Sequence, residues 1–183
     1  MNQEKYESLK SSYMELVTKI IRDLGGLSPA ITVLGTRKDD QKNAVIHIPI
    51  PDDMMKSDEG KDDFVDQVVP QLAVKINEDF EVSGVAWASE AWMRRIPVNE
   101  ENPENTVIPE DWKSLPKIEV LFITIESEDK QDTTVMEIVR KGQQVNANGD
   151  LTDYIELIPV PDAINPDKVE GRFVGLYKKF TTV

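Results

Sequence analysis

Ile118-Glu119-Val120-Leu121-Phe122-Ile123-Thr124-Ile125-Glu126 is the stretch that decides the fold. In an extended chain successive side chains point to opposite faces, so Leu121, Ile123 and Ile125 share one side and Ile118, Val120 and Phe122 the other. Both sets are apolar, which marks a strand covered on both faces and central in its sheet.

Downstream, Glu128 to Asp132 reads as a polar turn into a strand over Thr133 to Arg140. Ile155 to Val160 and Phe173 to Phe180 also read as strands, and Asn148-Gly149 is a type I′ hairpin signal. Upstream, Val82 to Arg94 is strand-like. Ala30 to Gly35 and Asn43 to Ile50 form a hairpin across the polar stretch Thr36 to Lys42. Pro49 and Pro51 cannot donate ladder hydrogen bonds, so the second of these strands ends at a sheet edge or leaves the sheet there.

Two helices complete the pattern. Tyr6, Leu9, Tyr13, Leu16, Val17, Ile20, Ile21 and Leu24 recur at steps of three and four over residues 3 to 24, and Gly25-Gly26 follows where a left-handed cap belongs. Phe64, Val65, Val68, Val69, Leu72, Ala73, Ile76 and Phe80 repeat that spacing from Asp58 to Phe80. Asp62 and Asp63 are placed in the first turn, and Pro70 should bend the helix. Phe64, Val68, Leu72 and Ile76 are expected to meet the sheet. The implied class is α+β, a mainly antiparallel sheet with two helices packed on one face, in a single domain spanning residues 1–183. The other face is left to a loop, a partner or water.

That loop is residues 96 to 116, where four prolines and five acids against one lysine supply −4 of the net −13. Segments of this length without regular structure are usually functional or mobile. Trp112 near its end is expected to anchor it to the sheet.

Charge and composition exclude several function classes. The basic residues come in short pairs, Arg37-Lys38, Arg94-Arg95, Arg140-Lys141 and Lys178-Lys179, rather than in a patch, so no direct nucleic-acid binding and no membrane association are expected. With no cysteine there is no disulfide framework, thiolate metal site or thiol nucleophile. Neither a secretory leader nor a spanning segment is evident, and the chain reads as cytoplasmic. No Walker or dinucleotide fingerprint occurs, and no cofactor is expected.

The chemistry-bearing residues are few. His47 is the single histidine, placed by alternation opposite Ala44, Ile46, Ile48 and Ile50, and no Gly-x-Ser-x-Gly elbow accompanies it, so a half-exposed strand residue is the plainer account. The pairs Asp39-Asp40, Asp52-Asp53, Asp58-Glu59 and Asp62-Asp63 fit solvated turns and helix starts better than a cation site, and no metal is expected.

Val85-Ala86-Trp87-Ala88-Ser89-Glu90-Ala91-Trp92-Met93-Arg94-Arg95 is the most unusual local composition. Its alternation sends Trp87 and Trp92 to opposite faces, with Glu90 and Arg94 flanking Trp92. Tryptophan and arginine are favoured interface anchors, so Trp87, Glu90, Trp92, Arg94, Trp112 and Arg140 are the candidate binding residues. The plainer account packs Trp87 under the helices and Trp92 under the acidic loop, against Trp112.

The scarcity of catalytic residue types favours a non-enzymatic protein-interaction or accessory module, acting on a protein partner or by self-association. Its small acidic composition suits a viral or mobile-element protein. The rival is a carboxylate-dependent hydrolase or transferase at the sheet rim near Glu90, Arg94 and Arg140, which needs Glu90, His47 and Arg140 to share a pocket. A mimic of DNA is the third reading, and acids scattered through the whole chain argue against it.

Overall fold

A computed structural model describes residues 3–95, 109–145, 149–160 and 173–182. The order of elements is α1 (Gln3–Leu24), β1 (Ala30–Arg37), β2 (Asn43–Pro49), α2 (Asp52–Met55), α3 (Asp58–Asp63), a π turn (Phe64–Val68), α4 (Val69–Asp79), β3 (Phe80–Arg94), a 3-10 turn (Trp112–Ser114), β4 (Lys117–Glu126), β5 (Gln131–Val145), β6 (Leu151–Pro159) and α5 (Leu176–Thr181). Among the described residues six strands make one sheet in the order β2-β1-β3-β4-β5-β6, every neighbouring pair antiparallel.

The central strand read from Ile118 to Glu126 is β4, paired with β3 through Glu90↔Leu121 and with β5 through Leu121↔Met136. The hairpin is β1 and β2, with Pro49 closing β2 at the sheet edge. The turn after β4 is fixed by Ser127 N–H donating to the Lys130 carbonyl at 2.8 Å. Of the Asn148-Gly149 turn only Gly149 is described, with φ +87°, and Asn148 lies outside the described residues.

The α+β class and antiparallel sheet are as read from the sequence, but the helices do not share a face. Tyr6, Tyr13, Val17 and Ile21 of α1 pack on Leu34, Ala86, Ala88, Leu121, Ile123, Ile125, Ile138 and Ile155. Phe64, Val65, Val69 and Ala73 pack with Leu176 and Phe180 on Ile31, Val33 and Val85, which point the other way. Alternation explains this: adjacent residues of β1 and β3, such as Val33 and Leu34 or Val85 and Ala86, are apolar on both sides, so each side needs its own helical cover.

Two further elements differ from the sequence reading. Phe173 to Phe180 is not a strand: Leu176 and Phe180, four residues apart and fully buried, lie on one side of α5 after Gly175 at φ +80°. A short apolar run has no period long enough to separate strand from helix. The helix expected from 58 to 80 is broken before Pro70 by the π turn, in which Val69 N–H reaches back to the Phe64 carbonyl. The extra residue rotates the buried stripe to Phe64, Val65, Val69 and Ala73, leaving Val68, Leu72 and Ile76 half-buried. Ser57 caps the start, its side chain accepting from Gly60 N–H at 3.0 Å, so Asp58 and Glu59 occupy the first turn and Asp62-Asp63 the end of α3.

Candidate functional site

Two of the candidate residues, Glu90 and Arg140, sit where the C-terminal end of α1 meets the sheet. Gly25, at φ +77°, ends that helix and its N–H donates to the Ile21 carbonyl at 2.9 Å. The helix leaves its last carbonyls without intrahelical donors, and the negative end of its dipole attracts a cation. Arg140 on β5 supplies it, with Nη1 donating to the Gly25 carbonyl at 2.8 Å.

The same guanidinium grips Glu119 of β4 in a two-pronged pair, Nε to Oε2 at 2.9 Å and Nη2 to Oε1 at 2.7 Å. Glu90 and Asp153 approach at 3.7 and 3.5 Å. Glu90 also accepts from Leu27 N–H at 2.5 Å, and a Cβ on Gly26 would come within 3.3 Å of that carboxylate oxygen. Three carboxylates thus surround one guanidinium and the chain leaving α1 is tied to β3. Arg140 holds the Glu119 carboxyl below the ordinary carboxylate value, first by its hydrogen bond, and Glu119 in return raises Arg140 further. Such bidentate pairs fix geometry as well as charge. The arrangement is suited to holding a helix end, with Arg140's donors already engaged by protein oxygens.

Trp92 follows on the same side of β3, opposite Glu119, and its indole is 65% exposed. It is not covered by Trp112, contrary to the sequence expectation. Trp112, 40% exposed, instead has the Arg94 guanidinium 5.9 Å and the Lys113 ammonium 5.7 Å from its ring centre. Its backbone is fixed in a turn by Trp112 N–H to the Pro109 carbonyl at 3.0 Å and Leu115 N–H to the Trp112 carbonyl at 3.2 Å. The rest of the acidic loop, 96–108, lies outside the described residues. Arg95 binds Glu137 at 2.7 Å, and Glu137, opposite Val120, lies on the other face of the sheet from Glu119. Trp87 points to the opposite face, as alternation required, its ring 5.3 Å from Phe173 in the core. It belongs to packing and not to the surface.

His47 does not join this group. It stands on edge strand β2 with Nδ1 3.2 Å from Thr32 Oγ1, and β1, β3 and β4 intervene before Arg140's strand. The pocket that a rim hydrolase needs from Glu90, His47 and Arg140 together is therefore not formed. Three of the acidic pairs stay in turns and helix starts: Asp39 binds Arg37, Asp52 and Asp53 open α2, and Asp58 and Glu59 open α3, whereas Asp62-Asp63 ends α3. Among the described residues no group of three or more His, Asp or Glu side chains is arranged to hold a metal ion.

Sequence reasoning missed Glu119 and Asp153. Glu119 shares the parity of Leu121, Ile123 and Ile125, and an acid on that apolar face calls for a buried cation. It also missed Glu126, only 4% exposed, which accepts from Gly175 N–H at 2.7 Å and Tyr177 N–H at 2.9 Å. Comparison with family models, characterised proteins and solved structures gives no match. No described helix is long and apolar enough to cross a membrane.

Proposed function

We propose that the protein is a non-enzymatic interaction module that binds a protein partner through the rim of Trp92, Arg94 and Trp112. One observation carries this reading: Trp92 is a large aromatic residue, 65% exposed, held on β3 by pairing with β4 through Trp92↔Glu119. Rigid, exposed tryptophan beside arginine is the residue chemistry that dominates protein interfaces, since it contributes large apolar area at small entropic cost. Glu90, Glu119 and Arg140 serve this surface by setting the end of α1 against β3.

The rival hydrolase or transferase reading has less support, because Arg140 is engaged by Glu119 and Gly25 and the histidine stands on a distant strand. A cytoplasmic site of action and a viral or mobile-element source follow from composition alone and accompany the proposal on that footing. The test is affinity purification from the native host with the wild-type chain and Trp92→Ala in parallel. The proposal expects a specific protein with the wild type that is lost with the variant; a partner retained equally by both refutes the assigned surface.

A further inference from the structure

The edge strands of the sheet are protected unequally. An unpaired edge presents free backbone N–H and C=O groups, and proteins usually blunt it with charge. β6 carries Asp153 and Glu156 along its length. β2 carries none: from Asn43 to Pro51 no residue has a formal charge, in a chain of which 30% is charged. Among the described residues β2 has no neighbour on its outer side.

Both flanks of this strand are apolar and accessible. On the α1 side Val45 is 58% exposed. On the α4 side Ala44 and Ile46 join Ile76 and Phe80 to line an open cleft of about 540 Å³. Its rim holds Arg37 and Lys75 against Asp39 and Asp79, two cations and two anions.

We propose that β2 pairs with β2 of a second copy of this chain, antiparallel about Ile46, so that two six-stranded sheets become one. Centring on Ile46 overlaps all seven residues of the strand. It sets Ile46 against its own copy, Ala44 against Ile48 and Val45 against His47, so a small residue meets a large one and no charges oppose. The balanced rim brings no net charge to the junction, although each chain carries −13. An edge of seven residues lies at the small end of specific interfaces, so the dimer is reversible with a dissociation constant on the order of 10 µM. Like-charged chains repel at long range, so salt strengthens this dimer, the reverse of one held by ion pairs.

Sedimentation velocity over about 1 to 200 µM, spanning that expected constant, tests the proposal. A concentration-dependent dimer that tightens with salt is expected. Val45→Lys, at an exposed site that folding tolerates, should weaken it at least about tenfold, while Leu151→Lys on β6 should leave it unchanged. The register has its own test because the chain lacks cysteine. Ile46→Cys faces itself within the roughly 4.4–6.8 Å range that a disulfide spans, whereas Val45→Cys faces its copy diagonally at about 7–8 Å. Oxidation should cross-link the first and leave the second largely free. A monomer at every concentration, a dimer indifferent to Val45→Lys, equal loss with Leu151→Lys, or an Ile46→Cys chain that does not cross-link would overturn the proposal.

Discussion

At the scale of single residues, Gly35 shows how closely β1 and β3 are fitted. A Cβ there would lie 2.1 Å from the Glu81 carbonyl oxygen and 2.5 Å from the Phe80 ring, at the point where the β1–β3 register shifts. Backbone cannot yield as a flexible side chain does, so Gly35→Ala should cost about 3 kcal/mol, the upper end of overpacking effects. Urea unfolding checks this, and a change below about 0.5 kcal/mol would contradict it. Two carboxylates make opposite pH predictions. Glu119 has its pKa lowered from 4.5 by Arg140, so its contribution is present above 4.5 and disappears as pH falls through the lowered value. Glu119→Gln should therefore be most destabilising at neutral pH and nearly silent in acid. Burial raises Glu126 from 4.5, outweighing the N–H groups of Gly175, Leu176 and Tyr177. Its cost when ionised is relieved as pH falls through the raised value, so Glu126→Gln should compare worse with wild type in acid than at neutral pH. Thermal melts of the two variants and wild type across pH read both signs together.

The helical segment between β2 and β3 tests the account at the scale of elements. Its sequence period was legible, but the face it buries was not, because a π turn adds one residue to the winding just before Pro70 and the period is interrupted where proline removes a donor. Phe64 is almost fully buried while Leu72 is partly exposed. Phe64→Ala should cost about 3–5 kcal/mol and Leu72→Ala roughly half of that or less. Equal losses would restore the uninterrupted helix. α5 was misread for a different reason: Phe173 to Phe180 is too short to display a period, and its identity is set by Gly175 and by tertiary bonds such as Asn77 Nδ2 to the Phe180 carbonyl at 2.6 Å. The strands were legible because their β-branched apolar runs, alternating in β2 and buried on both faces in β1 and β4, extend over seven or more residues.

For the molecule as a whole, the placement of helices on both faces depends on a pairing between distant segments. β3 returns beside β1 after the intervening helices, and no local pattern announces that neighbour. Much of the candidate site was visible in composition, in Trp92, Arg94, Trp112, Glu90 and Arg140. The link that joins Arg140 to Glu119 and to the end of α1 was not, since it forms only when three separate elements meet. The exposure of Trp112 also revises its role: Trp112→Ala should lower stability by about 1 kcal/mol or less, a loss set by a half-exposed ring and the two cations beside it. The central claim is that the rim at Trp92 exists for binding and not for folding. Its most direct measurement pairs a thermal melt with quantitative recovery of proteins from the native host, for wild type and Trp92→Ala at equal concentration. The account predicts melting temperatures within about 2 °C, because an exposed side chain away from packing contributes little, together with loss of the specific partner. An unchanged set of recovered proteins, or a variant that melts far below wild type, would contradict it.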